Sequence, residues 1–479
     1  MNLDPEYIRQ NLNEIGIKEA KAILRECINN SNNSHLRKQA LRVYSSIEKG
    51  KEFKFFEQLF LSDEDPTLRL LTGQILKESY LSNKKIISLL DFILNNENYI
   101  DLKFQALEIL KTINTKKANK IIKDYIRKVI KLNFDGETES VLKGIIRLDD
   151  SSSISESILE IYHNILLYDH YTKTCGYTVI LRNSLITLLN CEGMGLKSIL
   201  DIPGFDKLVN LEYLYLQKNE LSKIQNLEHL KYLKILNLGN NNIEKIENLD
   251  SLRNLEELIL SNNKIIKIEN LNLKNLKKLS IDRNYITDIR NLEGLNTLES
   301  LNLSNNNISE IAELKKLNKL KYLTLSHNKI NKINGLQNLH NLIMLQLNDN
   351  YIIEISGLES QINLKVLNLT NNRIEKIKNL DKLENLKKLE LSNNRIQYIQ
   401  GLSNLKKLQE LFLDKNQIKS LEGIDGLISL IILFLENNQI SEFQLKQIES
   451  LRNLNFLFLN ENPLNAKSTE LYKKLSRLP

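Results

Sequence analysis

A repeat of 22 residues fills most of the second half of this chain of 479 residues. Each copy opens with the pattern L..L.L and continues as N.I..I..L..L. Because one copy is too short to enclose a core, successive copies must stack into a solenoid with one continuous aliphatic interior. The steps are 22 residues except for one of 21 and a last one of 24, and the copies start at Leu211, Leu233, Leu255, Leu276, Leu298, Leu320, Leu342, Leu364, Leu386, Leu408, Leu430 and Leu454.

The spacing within each copy predicts one short strand followed by a turn. The L..L.L segments should pair as parallel strands, since equivalent segments of stacked copies lie side by side. An asparagine follows the strand in every copy. We expect its amide to satisfy buried backbone groups of the turn, because it offers both a donor and an acceptor where water cannot reach. These asparagines are Asn219, Asn241, Asn263, Asn284, Asn306, Asn328, Asn350, Asn372, Asn394, Asn416, Asn438 and Asn462.

The first 170 residues or so lack this repeat, and their apolar spacing predicts helices. Asp65 is a good N-cap, and Pro66 suits the first position of the helix that follows it. Three segments, 33–47, 65–80 and 101–114, are alike in sequence, which favours a domain of antiparallel helix pairs. Their alignment matches the dipeptides Leu36-Arg37, Leu68-Arg69 and Leu102-Lys103.

The pattern L..L..L.L..N.I..I..L..L between Ile186 and Pro479 resembles the leucine-rich repeat family, in particular its SDS22-like subclass, which bacterial internalins share. The helical segment D-E-D-P-x-L-R, which begins at Asp63, resembles the entry to the second helix of HEAT repeats. These resemblances imply an α/β repeat solenoid. The solenoid is expected to be a leucine-rich repeat horseshoe with a parallel sheet on its concave face, preceded by an all-α HEAT-like domain.

The resemblances also divide the chain into parts. Residues 1–170 are expected to form the HEAT-like α-helical domain, and residues 171–210 an N-terminal cap and a divergent first repeat, in which Met194 replaces the asparagine. Residues 211–464 hold twelve SDS22-like repeats. Residues 465–479 are predicted to be a C-terminal cap, because Asn462-Pro463 and the amphipathic LYKKLSRLP look like the cap of such arrays.

Charge and cysteine content indicate a mixed surface and reduced thiols. The net charge of +7 is small beside 66 basic and 59 acidic residues, so no strong polyanion-binding field is expected. The three cysteines are scattered and form no CxxC motif. The opening MNLDPEYIRQ lacks the apolar core of a signal peptide, and the apolar run 427–435 is too short to cross a bilayer. We therefore expect a cytoplasmic monomer that binds no membrane.

The sequence carries none of the common catalytic motifs that we sought, including the P-loop, H-E-x-x-H and G-x-S-x-G. The densest reactive cluster is His163, Asp169, His170 and Cys175, whose spacing matches no usual zinc pattern. Packing at the junction with the first strand explains these residues better than a metal site. His327 is interpreted as a contact residue rather than a catalyst. The chain is predicted to be no enzyme and to need no cofactor.

The residues between the leucines should face outward from the concave side, in columns whose members lie about 4.8 Å apart. One column ends in three phenylalanines, the neighbouring column adds two apolar residues beside them, and a second apolar trio lies mid-array. Such contiguous apolar surface indicates partner binding, unless the cap or the helical domain covers it. The predicted partner-binding residues are Phe412, Phe434, Phe458, Ile432, Phe456, Tyr322, Met344 and Val366, and the bordering residues are Glu410, Asp414, Lys415, Glu436 and Glu461.

These features predict a non-catalytic scaffold or adaptor that binds a partner protein on the concave face. The acidic border favours a partner with basic residues around an apolar anchor. The resemblance implies a phosphatase or a small GTPase as partner, for which the chain would be a regulatory subunit. A nucleic-acid-binding protein is the alternative, through the lysines of LKNLKKL (273–279) and KLNKLKYL (316–323). Because lysines alternate with glutamates in other copies, a solvated surface without nucleic acid is favoured.

Overall fold

The computed structural model describes residues 4–48, 50–129, 140, 153–311, 314 and 316–475. The chain forms two compact units. The first comprises Met1–Thr187 together with Pro203–Leu208, and the second comprises Leu188–Ile202 and Val209–Pro479.

The first unit is helical over most of its described residues. Consecutive helices pack as pairs, α3 with α4, α5 with α6 and α7 with α8. The three similar segments of the sequence are α4, α6 and α8, so their prediction as helices is confirmed. The helices are α1 Pro5–Gln10, α2 Leu12–Ile15, α3 Ile17–Asn30, α4 Ser34–Glu48, α5 Phe53–Ser62, α6 Pro66–Ser79, α7 Ile86–Asn96, α8 Ile100–Ile113, α9 Lys116–Val129 and α10 Glu156–His170, and a π-helical turn, Tyr171–Cys175, follows.

The start of α6 is fixed by Asp65, as its sequence predicts. The Asp65 carboxylate accepts hydrogen bonds from the backbone N–H of Thr67 at 2.9 Å and from the Ser34 hydroxyl at 2.5 Å. Burial alone would raise the pKa of Asp65, but these hydrogen bonds outweigh it and lower the pKa to about 2. The cap therefore joins α6 to the start of α4.

The basic residues of the aligned dipeptides make equivalent contacts in the first two copies. Arg37 donates from Nε to the carbonyl of Ile28 at 2.5 Å, and its guanidinium pairs with Asp63. Arg69 does the same one copy later, with the carbonyl of Phe60 at 2.9 Å and the carboxylate of Glu97. In the third copy, the Nζ of Lys103 lies 6.0 Å from the centroid of the Tyr125 ring. These side chains tie each helix pair to its neighbour.

The second unit is built on a parallel sheet. From Leu188 in β2 onward, strands β2 to β14 pair in sequence order, each shifted by one repeat, so that Leu367 lies opposite Leu345 and Leu389. Helix α11, Ala466–Leu475, follows the last strand. The strands are β1 Thr178–Arg182, β2 Leu185–Asn190, β3 Tyr213–Tyr215, β4 Ile235–Asn237, β5 Glu257–Ile259, β6 Lys278–Ser280, β7 Ser300–Asn302, β8 Tyr322–Thr324, β9 Met344–Gln346, β10 Val366–Asn368, β11 Lys388–Glu390, β12 Glu410–Phe412, β13 Ile432–Phe434 and β14 Phe456–Phe458.

The 21-residue and 24-residue repeats differ in length from the others only outside the strands. In the 21-residue step, the buried Leu271 and Leu273 lie two positions apart, whereas Leu258 still pairs with Leu279. In the 24-residue step, a 3₁₀ turn, Leu445–Gln447, supplies the extra residues. The sheet therefore keeps one register through a change of length on the other side of the repeat.

The asparagines form the predicted ladder. The Asn328 side chain is buried, and its Nδ2 donates to the carbonyls of Leu325 at 3.1 Å and Leu303 at 3.0 Å. Its Oδ1 accepts a hydrogen bond from the N–H of Ile308 at 3.0 Å. The same contacts recur from Asn219 to Asn462. Each amide thus bonds its own turn and the preceding repeat, which confirms the prediction.

One residue breaks the aliphatic core pattern. Three positions before each starting leucine stands a leucine, except in one repeat, where Gln361 takes the place. Gln361 is fully buried, and although its Nε2 donates to the carbonyl of Leu336 at 2.7 Å, no donor among the described residues reaches its Oε1. An unsatisfied buried acceptor of this kind is destabilising.

Gln361→Leu is therefore expected to raise the free energy of unfolding by about 1 kcal/mol, since it removes the unpaired amide oxygen and restores the apolar contact. The carbonyl of Leu336 keeps its hydrogen bond from the N–H of Leu339. Urea denaturation measures the change. The matched control is Leu339→Gln, which places the same amide one repeat earlier and should destabilise the protein. An unchanged or lower midpoint for Gln361→Leu would contradict the prediction.

Candidate binding face of the repeat sheet

The three-residue strands sort their side chains by burial. In β12 the middle residue, Leu411, is fully buried, and the flanking Glu410 and Phe412 are half-buried. Because side chains alternate along a strand and successive strands share one register, the flanking residues form two columns across the sheet. The predicted contact residues all lie in these two columns.

Four phenylalanines form one aromatic surface, named here the Phe strip: Phe412, Phe434, Phe456 and Phe458. The ring centroids of Phe412 and Phe434 are 4.9 Å apart with an interplanar angle of 12°, and those of Phe434 and Phe458 are 4.2 Å apart at 8°. Phe456 lies parallel to Phe458 at 6.5 Å and is 53% exposed. The stack arises because the strands are in register, so that each ring repeats the position of the one before.

Lys388 closes one end of the Phe strip. Its Nζ lies 4.9 Å from the centroid of the Phe412 ring, within cation–π range. It also pairs with Glu390 at 2.9 Å and Glu410 at 3.6 Å. The hydrogen bond with Glu390 raises the pKa of Lys388 above its ordinary value, so the ammonium is charged at neutral pH. Sequence analysis missed Lys388, although its place in the neighbouring column, one strand earlier, was the available signal.

Three carboxylates lie two or three residues after a phenylalanine of the Phe strip. These residues, Asp414, Glu436 and Glu461, are named here the acidic edge. Asp414 accepts a hydrogen bond from the Ser392 hydroxyl, and Glu436 accepts one from Asn460 Nδ2 at 2.6 Å. Glu461 is exposed. Lys415, also exposed, is the basic residue of this border. The edge is therefore mostly acidic, as its sequence predicts.

The mid-array trio also lies in one column of the sheet. Tyr322 pairs with Met344, and Met344 pairs with Val366. Tyr322 is 42% exposed, and the other two are half-buried. Ile432 lies in the same column farther along, between Glu410 and Phe456. The predicted contact residues thus fall into two groups, with Ile432 beside the Phe strip.

The histidines occupy different environments. His163 is buried with its ring 4.8 Å from that of Phe104, edge to face. Burial and then the charge of Lys207 lower the pKa of His163 to about 4, so it is neutral at physiological pH, as befits a packing residue. His327 is half exposed, and its Nε2 lies 3.3 Å from Asp349 Oδ2. Across the residues that the structure describes, no three His, Cys, Asp or Glu side chains are grouped to share a metal ion.

Three of the six lysines in the two basic segments pair with acids of the preceding repeat. Lys277 lies 2.9 Å from Glu256, and Lys321 lies 2.9 Å from Glu299. Lys278 is 3.3 Å from Glu257. These pairs neutralise the positive charge locally. No helix in the described part of the chain is both long and apolar enough to cross a membrane.

Comparisons with known proteins agree with this architecture. The family model described as leucine-rich repeats in two copies matches residues 198–251, 253–294, 296–338 and 384–426. Among solved structures, an internalin (inlF) from Listeria monocytogenes is 27% identical, with 73% of this chain and 89% of that chain covered and a TM-score of 0.50. A leucine-rich repeat protein of Leptospira interrogans is 31% identical, with 56% and 77% covered and a TM-score of 0.49. No curated protein sequence matches the chain.

Internalin C2 of Listeria monocytogenes is also 31% identical, with 40% of this chain and 82% of that chain covered and a TM-score of 0.37. The match to the family model accompanies the repeated strand and asparagine geometry. The chain therefore belongs to the leucine-rich repeat family.

Proposed function

We propose that this protein is a non-catalytic adaptor that binds a partner protein through the concave columns of its repeat sheet, with the Phe strip as the main contact. Leucine-rich repeat proteins serve as protein-binding scaffolds. The observation that carries the proposal is the row of stacked, partly exposed phenylalanines on three neighbouring strands. Aromatic side chains bury large areas at low entropic cost, which suits a contact that supplies most of the affinity.

The second contact area is the trio of Tyr322, Met344 and Val366, which lies in one column of the same sheet. The paired lysines favour protein over nucleic acid, because phosphate binding needs cations that are free to neutralise phosphates. We further propose that the chain acts as a cytoplasmic monomer, with SDS22-like repeats and a HEAT-like helical domain. The equivalent contacts of Arg37 and Arg69 support a repeated helix pair.

A phosphatase catalytic subunit or a small GTPase is the partner that the SDS22-like pattern suggests, and the protein would then be its regulatory subunit. The two partners would be distinguished by identifying the protein that the full chain captures from a lysate of its source. The same capture assay tests the Phe strip.

Phe434→Ala is expected to weaken capture of the main partner by about 2 kcal/mol, because it removes the central ring of the Phe strip. Its free energy of unfolding should change little in comparison with a core leucine, since the Phe434 side chain is half-buried on the sheet surface. Quantitative affinity capture with the full chain measures the first effect, and urea denaturation measures the second.

The matched control is Tyr398→Ala, which removes an aromatic side chain that is 59% exposed and lies outside the strands. It should capture the partner as the unmodified protein does. Equal capture by Phe434→Ala and the unmodified protein would refute the proposed contact. Unfolding of Phe434→Ala like a core variant would show that the ring is structural.

A further inference from the structure

The stacking of the Phe strip determines which part of its central ring a partner can touch. Phe412 covers one face of Phe434 at 4.9 Å, and Phe458 covers the other at 4.2 Å, with both pairs nearly parallel. Phe434 nevertheless remains partly exposed. Since both faces of the ring are occupied, its exposed part is the edge.

The edge of an aromatic ring carries positive partial charge, and the face carries negative partial charge. A row of ring edges therefore attracts the face of another aromatic ring and offers little to a cation placed directly on it. At the Phe412 end of the stack the outer ring face is favourable for a cation, and Lys388 of this chain already occupies it at 4.9 Å. An aromatic anchor consequently fits the strip better than an arginine or a lysine does.

Cationic residues of a partner have a separate place to bind. The acidic edge follows the strip along the chain, with Asp414 and Glu436 at equivalent positions two residues beyond Phe412 and Phe434, just after the paired strands end. Lys388 is paired with Glu390 and Glu410, so its charge is not directed to the acidic edge. Basic residues that flank an aromatic anchor would therefore meet carboxylates.

We propose that the occupant of the Phe strip is a partner segment with an aromatic side chain flanked by lysine or arginine. The aromatic ring lies face-on against the edges of the stacked phenylalanines, and the flanking cations pair with the acidic edge. This inference rests on the proposed function and adds to it the chemistry of the partner, which follows from the ring geometry and the charge of the border.

A library of random linear peptides displayed on phage tests the inference, with the immobilised full chain as bait and Phe434→Ala as the counter-selecting bait. The enriched peptides should share an aromatic residue flanked by basic ones. Each enriched peptide is then synthesised, and its affinity is measured by fluorescence polarisation. Replacing its aromatic residue by leucine should lower the affinity about fivefold, because the edge-to-face contact is lost.

The charge requirement is tested with Glu436→Lys, which should lower the affinity for these peptides about tenfold at low salt and less at high salt. The matched control is Glu449→Lys, which reverses an exposed charge outside the strands and should leave the affinity unchanged. Urea denaturation of both variants verifies that they fold.

The outcomes separate the two proposals. Enriched peptides that depend on Phe434 but lack an aromatic residue or flanking cations would overturn this inference and leave the proposed function standing. A selection that yields no sequence dependent on Phe434 would overturn this inference alone, whereas lysate capture that does not depend on Phe434 would overturn both proposals. Peptides whose affinity falls equally with Glu436→Lys and Glu449→Lys would overturn the role of the acidic edge.

Discussion

Asn328→Ala is expected to lower the free energy of unfolding by about 2–4 kcal/mol, because it removes the side chain that bonds two repeats together. The N–H of Ile308 donates to Asn328 Oδ1 and would lose this acceptor inside the core. The carbonyls of Leu303 and Leu325 would be less affected, since each also accepts from a neighbouring ladder residue, Asn306 and Asn350 respectively. The main cost is therefore one orphaned backbone donor together with the cavity left by the amide.

Urea denaturation of the full chain measures this loss. The matched control is Asn331→Ala in the same repeat, where the asparagine is exposed and the change should stay within about 0.5 kcal/mol. If Asn328→Ala unfolds at the midpoint of the unmodified protein, the ladder does not contribute to stability in the manner that its hydrogen bonds indicate.

Gly423→Ala is expected to cost about 3–5 kcal/mol, for two reasons that add. The backbone of Gly423 has φ +95°, which L-residues with a side chain seldom adopt. A Cβ at this position would also lie 1.9 Å from the carbonyl oxygen of Ile399 in the preceding repeat. Since that obstacle is backbone, the repeats themselves would have to move apart.

Gly193→Ala provides the comparison that separates the two contributions. Gly193 has φ +69°, but a Cβ there would meet no atom within 4 Å. Its substitution should therefore cost only the backbone strain, about 1–2 kcal/mol. Thermal unfolding of both variants, followed by circular dichroism, measures the difference. Equal losses at the two glycines would show that close packing of the repeats at Gly423 is unimportant.

The periodicity of the sequence predicted the parallel strands, their order and the asparagine ladder, because these depend on backbone hydrogen bonds that recur with the repeat. A second set of turn residues escaped notice. Seven residues after the ladder asparagine, several repeats carry a second asparagine whose backbone is left-handed, and others carry a glycine there. Asn248 and Asn379 there donate from Nδ2 to the isoleucine carbonyls of the preceding repeats, at 2.7 Å and 2.8 Å. The mixture of two residue types concealed the common backbone conformation.

The candidate site was predictable in its position but not in its geometry. The columns placed Phe412, Phe434 and Phe458 on adjacent strands, since strand register alone decides this. The parallel stacking of the rings depends on side-chain torsions, and the contact of Lys388 with Phe412 runs diagonally between strands. The spacing of residues in a sequence carries no such information. The unpaired amide oxygen of Gln361 was equally hidden, because a glutamine among leucines does not reveal its partners.

The two repeats of irregular length show where this molecule tolerates an insertion or a deletion. The chain is one residue shorter between Leu271 and Leu273 and two residues longer between Phe443 and Ile448 than in the regular repeats, and the strands on either side remain in register. The segment between Phe443 and Ile448 is therefore a suitable place to graft a fluorescent label or an affinity epitope. Residues of the concave strands can be substituted but not inserted or deleted, because the strands must stay in register. Binding specificity therefore changes by substitution on the concave face, whereas loop length varies on the opposite side.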